Sequence, residues 1–176
     1  FLALGGTIFL FIPPAVPEFV HLPFATLQPL GALLLLALAA YLVIIVVHKK
    51  PLTVRGWVIP AIPARVTLGQ IAVSASEWLI GAAVLFVLLP HHPEMTYFHL
   101  LSFYFLAQVS GLMSQVPSGL GVFESIVLAL VPSDMDPSVV VGSLLLYRLI
   151  YSLLPLSVAG TMLLVREGRY RRLALA

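Results

Sequence analysis

The sequence predicts an all-α fold, a polytopic bundle of transmembrane helices with one Pro/Gly-broken or re-entrant helix. Three observations carry that expectation. Hydrophobic residues make up 61% of the 176 and charged residues only 9%, against roughly 45–50% and about 25% in ordinary soluble domains. Long apolar stretches recur along the whole chain. One of them is cut by Pro117, Gly119 and Gly121. A soluble fold of this length exposes much of its surface, and so few charges cannot keep that surface in water. A soluble enzyme, a nucleic-acid binder and a disordered linker are excluded as readings.

Six apolar stretches are separated by Pro, Gly or charge, at about residues 1–12, 30–47, 67–89, 97–113, 114–131 and 138–165. They read as one transmembrane domain with no soluble catalytic domain attached. The first begins at Phe1 inside an apolar run and stops at Pro13-Pro14, so the chain is expected to be an internal piece of a longer protein. The second carries no charge and spans about 27 Å as a helix. The third holds Glu77 and Trp78 near its middle, and the last contains Arg148 and Pro155.

Charge placement orients the spans. Lys49, Lys50, Arg55 and Arg65 lie between the second and third stretches, and Arg166, Arg169, Arg171 and Arg172 follow the last. The loops at 13–29, 90–96 and 132–137 carry Glu18, Glu94, Asp134 and Asp136 and no Lys or Arg. The positive-inside rule makes the basic segments cytoplasmic and the other loops external, consistent with six crossings. The proline-rich basic segment 48–65 is expected to lie as a loop along the headgroups.

Three ionisable residues fall inside apolar stretches: Glu77, Glu124 and Arg148. A charge at a helix centre costs about 2.5–3.5 kcal/mol even on the lenient insertion scale, so each should face a partner, the bundle interior or water. Gln70, Ser74, Glu77 and Gly81 share one helical face. Tyr104, Gln108, Gly111 and Gln115 form a second such stripe, and Arg148, Ser152, Pro155 and Ala159 a third. These faces are expected to converge, although small and polar residues also serve simply to glue helices together. Arg148 lies deep in its stretch and needs an anion; Glu124, Glu77 and a lipid phosphate are the candidates. Glu124 lies about seven residues before the short loop at 132–137 and Arg148 about eleven after it, so Glu124 is expected to pair with it.

The stretch GLMSQVPSGLGVFE at 111–124 holds the break. A helix interrupted within a membrane survives only where it is buried in protein or lines a wet cavity. The helix that restarts near Gly119 would aim its free amides and positive dipole end inward, as a seat for an anionic group such as a lipid phosphate. The bland alternative is a kink.

SQVPSGLGVFES, followed by LLLYRLIYSLLPL at 144–156, resembles the lysylphosphatidylglycerol synthase/flippase membrane-domain family, that of the multiple peptide resistance factor. KPLTVRGWVIP at 50–60 and QIAVSASEWLIGAAVLFVLLP at 70–90 look like segments of the same family. The family pattern has Gly-Gly after the proline, where this chain has Ser118. The resemblance implies the later part of a membrane domain that moves aminoacylated phosphatidylglycerol to the outer leaflet. The added amine lowers surface negative charge and so the binding of cationic antimicrobial peptides. It also implies a longer parent of the phosphatidylglycerol lysyltransferase type, in which a cytoplasmic domain transfers lysine or alanine from aminoacyl-tRNA. This segment is not expected to be catalytic.

The expected lipid-binding or transport residues are Pro117, Gly119, Gly121, Glu124 and Arg148, with Tyr147 and Tyr151 beside it, and Glu77, Gln108 and Ser114. The expected partner is an anionic phospholipid, phosphatidylglycerol or its aminoacyl derivative, in a bacterial inner membrane. No nucleic acid is expected to touch this segment, and a homo-oligomer is left open. No cofactor and no metal are expected: His91, His92, Glu94 and His99 crowd one loop but match no strong metal signature, and there are no cysteines. Two other readings stay open, a platform that presents phosphatidylglycerol to a transferase without flipping it, and a small-solute carrier.

Overall fold

The computed structural model describes residues 1–16, 26–47, 52–54, 57–59 and 63–174. Seven α-helices follow one another: α1 (Leu2–Phe11), α2 (Gln28–Val47), α3 (Ala64–Leu88), α4 (Tyr97–Met113), α5 (Val122–Leu130), α6 (Pro137–Arg148) and α7 (Leu154–Ala174). The fold is an all-α membrane helix bundle. Among the described residues, three continuous helices are long and apolar enough to cross a bilayer: Gln28–Val47, Ala64–Leu88 and Pro137–Glu167.

Local signals set the helix starts. Thr96 caps α4 by accepting from the His99 N–H at 3.3 Å. Asp136 caps α6 by accepting from the Ser138 N–H at 2.8 Å, with Pro137 in the first helical position, where no amide bond is needed. Asp136 lies in the loop, and the bonds from Ser138 hold its carboxyl below the usual carboxylate range.

α4 forms the centre. Every side chain from Leu100 to Ala107 is buried, and α1, α3 and α5 pack around it. The core joins Phe9, Leu85, Phe105, Leu106, Ile126 and Leu144 from five of the seven helices. In contrast, α2 buries only Gly31, at its crossing with α1. A Cβ on Gly31 would stand 2.7 Å from the Leu10 nitrogen and 2.8 Å from the Gly6 oxygen, so only glycine permits this crossing. The rest of α2 is half-buried or exposed and mostly apolar, and most described side chains of α7 up to Val165 are exposed and apolar, as lipid-facing helices require.

Two sequence expectations change. The segment 48–65 was expected to be a loop, but it contains an antiparallel hairpin, β1 (Leu52–Val54) with β2 (Trp57–Ile59), pairing Thr53 with Val58. β-Branched residues favour this short extended pairing, while Lys49, Lys50 and Arg55 lie outside the described residues, as does Glu18. The stretch 114–131 does not supply a full crossing. α5 has nine residues, a rise of about 14 Å against a hydrocarbon thickness of about 30 Å. It is a half-length helix that follows the break. The last stretch agrees with the apolar helix Pro137–Glu167, and helix runs on from it to Ala174 through the basic residues.

That last helix also changes pitch. Leu149–Leu153 form a π-turn, with the Leu154 N–H donating to the Leu149 carbonyl. Pro155 supplies the reason: it has no N–H, and its ring would crowd the carbonyl four residues earlier, so the turn widens.

Candidate functional site

α4 ends at Met113, and the chain then reverses in eight residues before α5 begins. Ser114 organises the exit: its hydroxyl donates to the Gly111 carbonyl at 2.7 Å and accepts from the Val116 N–H at 3.3 Å. Pro117–Gly119 form one 3₁₀ turn. Four residues of this reversal take left-handed backbone angles: Gln115, Ser118, Gly119 and Gly121, with φ of 55°, 58°, 59° and 83°. Ser118 therefore adopts the conformation that glycine favours. A Cβ on Gly119 would lie 3.0 Å from the Gly111 Cα, so this pair sets how closely the turn packs on α4.

Arg148, at the end of α6, reaches into this reversal. Its Nε donates to Glu124 Oε1, while Nη1 donates to the Ser118 carbonyl at 3.2 Å and Nη2 makes a long contact of 3.5 Å to the Gly119 carbonyl. Glu124 Oε2 accepts from the Gly121 N–H at 2.8 Å. The guanidinium thus serves both an intramembrane carboxylate and carbonyls freed by the break. The sequence expectation that Glu124 and Arg148 meet is met in this geometry. The seat at the start of α5 is not open, however. The Glu124 carboxylate sits where an external anion was expected, because a residue three positions into a helix can fold back on the capping amide.

Arg148 also lines a cavity of about 650 Å³. Gln108, Gly119, Tyr147 and Tyr151 among the expected residues share it, and Trp78, Phe123, Gln115 and Ser118 join them. Tyr104 and Tyr147 exchange a hydroxyl–hydroxyl bond of 2.9 Å beside it. Phe123, Tyr147 and Tyr151 stack in a column, with ring centroids 5.9 and 5.5 Å apart. Gly81 makes room for that column: a Cβ there would meet the Tyr104 hydroxyl at 2.8 Å and the Tyr151 ring at 3.1 Å.

The three polar stripes converge only in part. Gln108, Gly111 and Arg148 line one cavity and Gly81 packs against Tyr104 and Tyr151 beside it, whereas Gln70, Ser74 and Glu77 are exposed on α3. Glu77 does not approach Arg148. It contributes its backbone carbonyl, which accepts from the Tyr151 hydroxyl at 3.3 Å. Pro117 shapes the turn without lining the cavity. The aromatic column was only half visible in sequence, since Tyr147 and Tyr151 are four apart but Phe123 arrives from another helix.

At the opposite end of α4, His92 Nε2 lies 3.0 Å from Asp134 Oδ2, tying the loop before α4 to the loop before α6. That bond holds the Asp134 carboxyl below the usual carboxylate range. Glu94 donates its N–H to His92 Nδ1, and His99 Nδ1 lies 3.3 Å from the Glu94 carbonyl. Among the described residues, no three His, Asp or Glu side chains are grouped to hold a metal ion.

No family model matches the chain. An uncharacterized protein of Synechocystis, slr0712, is 39% identical over 97% of this chain and 54% of its own length. The inner membrane protein YbhN of Escherichia coli K12 is 26% identical over 98% of this chain and 54% of its own length. A phosphatidylglycerol lysyltransferase of Staphylococcus xylosus is 33% identical over 49% of this chain, which corresponds to 11% of that protein. The chain spans about half the length of the first two relatives. A multi-pass membrane protein is the conclusion these similarities and the helices share.

Proposed function

We propose that the chain is the membrane module of an aminoacyl-phosphatidylglycerol synthase/flippase in a bacterial inner membrane. Its Arg148 cavity holds the phosphate of phosphatidylglycerol or its aminoacyl derivative and passes the lipid to the outer leaflet. The observation that carries the reading is a guanidinium on a cavity wall beside a broken helix, about 17 Å of helix rise into α6. A guanidinium has five N–H donors. Three point at Glu124, Ser118 and Gly119, which leaves donors for a phosphate oxygen. Broken helices that line a cavity near the bilayer midplane are a transporter device. The similarity to a phosphatidylglycerol lysyltransferase supports the choice of lipid, and YbhN supports the choice of membrane.

The test is a leaflet-resolved assay in proteoliposomes carrying fluorescent phosphatidylglycerol. Arg148→Gln should slow translocation at least about tenfold, the effect of losing one charge-assisted contact worth 1.4 kcal/mol or more. Translocation that Arg148→Gln leaves unchanged would refute the reading. Lipid bound by the wild-type protein but never moved would instead make the module a presenting platform.

A further inference from the structure

A second cavity, of about 220 Å³, lies between α1, α2 and α3. Its polar lining is Tyr41 from α2 with Thr67, Gln70 and Ser74 from α3. Thr67 is 1% exposed, and its hydroxyl is the one buried side-chain polar atom without a hydrogen-bond partner among the described residues. Buried hydroxyls are nearly always satisfied, and in a helix the carbonyl four residues back usually serves. An orphan on a cavity wall therefore calls for a polar occupant.

The lining says which kind. It offers two hydroxyls, a phenol and a carboxamide, and no lining side chain is charged. Such a set can both donate to and accept from hydroxyl groups, and it offers no charge to balance a phosphate or an ammonium. Its volume exceeds the roughly 30 Å³ that one water occupies, so it has room for a small polyol. Thr67 is in the first turn of α3, directly after the basic segment, and Ser74 lies two turns deeper. The next residue of that face, Trp78, lines the Arg148 cavity. The Phe1 ring borders both cavities and packs edge-on against Trp78 at 5.3 Å. Ser74 on the wall of one cavity and Trp78 on the wall of the other are thus one helical turn apart on α3.

We propose that the Thr67 pocket is a second binding site, for the uncharged, hydroxyl-bearing part of a lipid headgroup, such as the glycerol of phosphatidylglycerol. From there the headgroup passes along Ser74 and Trp78 to Arg148. The passage rests on the function proposed above, whereas the pocket chemistry does not.

Thermal unfolding of the purified protein in detergent tests the site, with short-chain phosphatidylglycerol, phosphatidic acid or free glycerol added. Valine matches threonine in shape, so Thr67→Val should unfold at a higher temperature than wild type without lipid, having lost an unmet hydroxyl. It should also lose at least about two thirds of the stabilisation that phosphatidylglycerol confers on wild type through linkage. Its response to phosphatidic acid should be unchanged. Gln70→Leu combined with Ser74→Ala changes exposed residues and should reproduce the selective loss. Retention of the full phosphatidylglycerol response in both variants would overturn the site. A lower unfolding temperature for lipid-free Thr67→Val would overturn it too, since the hydroxyl would then be bonded within the fold. Equal stabilisation by free glycerol would overturn the lipid assignment. Arg148→Gln measured in parallel separates the two claims. If it still translocates lipid while Thr67→Val loses its response, the proposed function falls and the pocket stands; the reverse pattern spares the function alone.

Discussion

Replacing Arg148 and Glu124 by alanine, singly and together, measures how far the break depends on their pairing. The two side chains are 16% and 19% exposed, so both charges are largely removed from solvent. Arg148→Ala deletes the bond to Glu124 and the contacts to the Ser118 and Gly119 carbonyls. Glu124 then keeps its bond from the Gly121 N–H but has no counter-ion. Leaving one partner of a buried pair uncompensated typically costs about 3–5 kcal/mol. For a chain of this size, about 2–4 °C of unfolding temperature corresponds to each kcal/mol, so the drop should be about 6–20 °C. Glu124→Ala should fall in the same range, moderated by the two carbonyls that still accept from Arg148. The double variant should be less destabilised than the sum of the singles by about 1.5–3 kcal/mol, the worth of a charge-assisted bond. Unfolding can be followed by tryptophan fluorescence, since Trp78 lines the cavity. Additivity to within about 0.5 kcal/mol would refute the pairing as a stabilising unit.

Other expectations are quicker to check. Ser118→Gly should raise stability by about 0.5–1 kcal/mol, because Ser118 sits at φ 58° and glycine relieves more left-handed strain than it loses in chain entropy; an unchanged or lower unfolding temperature would count against it. Gly31→Ala should cost about 1–3 kcal/mol or more, because its Cβ would press on the backbone of α1 at 2.7–2.8 Å, and normal folding would show that α1 and α2 can separate freely. In this cysteine-free chain, single cysteines at Val16 and Met95 should label from outside and those at Thr53 and Gly168 from the cytoplasm. His92→Cys with Asp134→Cys should be joined by a short bifunctional thiol reagent, because the loops meet there. Labelling of Thr53 and Met95 from one side would sink the topology.

Much of this architecture was legible because a bilayer leaves a chain few choices. Backbone polar groups must be satisfied within helices there, so apolar runs mark the spans directly. The meeting of Glu124 with Arg148 was legible for the same reason. A deep Arg must find an anion, and Glu124 lay at a comparable distance from the short loop joining α5 to α6. What escaped the sequence depends on details within a turn. Nothing in the letters says that the Glu124 carboxylate folds back on Gly121 as well as meeting Arg148. Pro155 marked a disturbance in the last helix but not its form as a π-turn. Glu77 was misjudged because a shared helical face does not say which way that face turns. Gly81 and the neighbouring Trp78 point inward, while Glu77 faces out.

The double role of Arg148 has a consequence for transport. An anion that enters the cavity meets a guanidinium already neutralised by Glu124 and partly engaged by two carbonyls. Under the proposed function its attraction is weak, and a carrier needs weak binding because a tightly held lipid would not leave. Glu124→Gln separates affinity from turnover. Glutamine can still accept from the Gly121 N–H, so the start of α5 should hold, but the positive charge of Arg148 would no longer be cancelled. Binding of fluorescent phosphatidylglycerol should tighten about fivefold or more, worth about 1 kcal/mol, and its rate of translocation should fall. Binding that weakens along with turnover would place Glu124 among the groups that attract the lipid, and the argument from charge cancellation would fail.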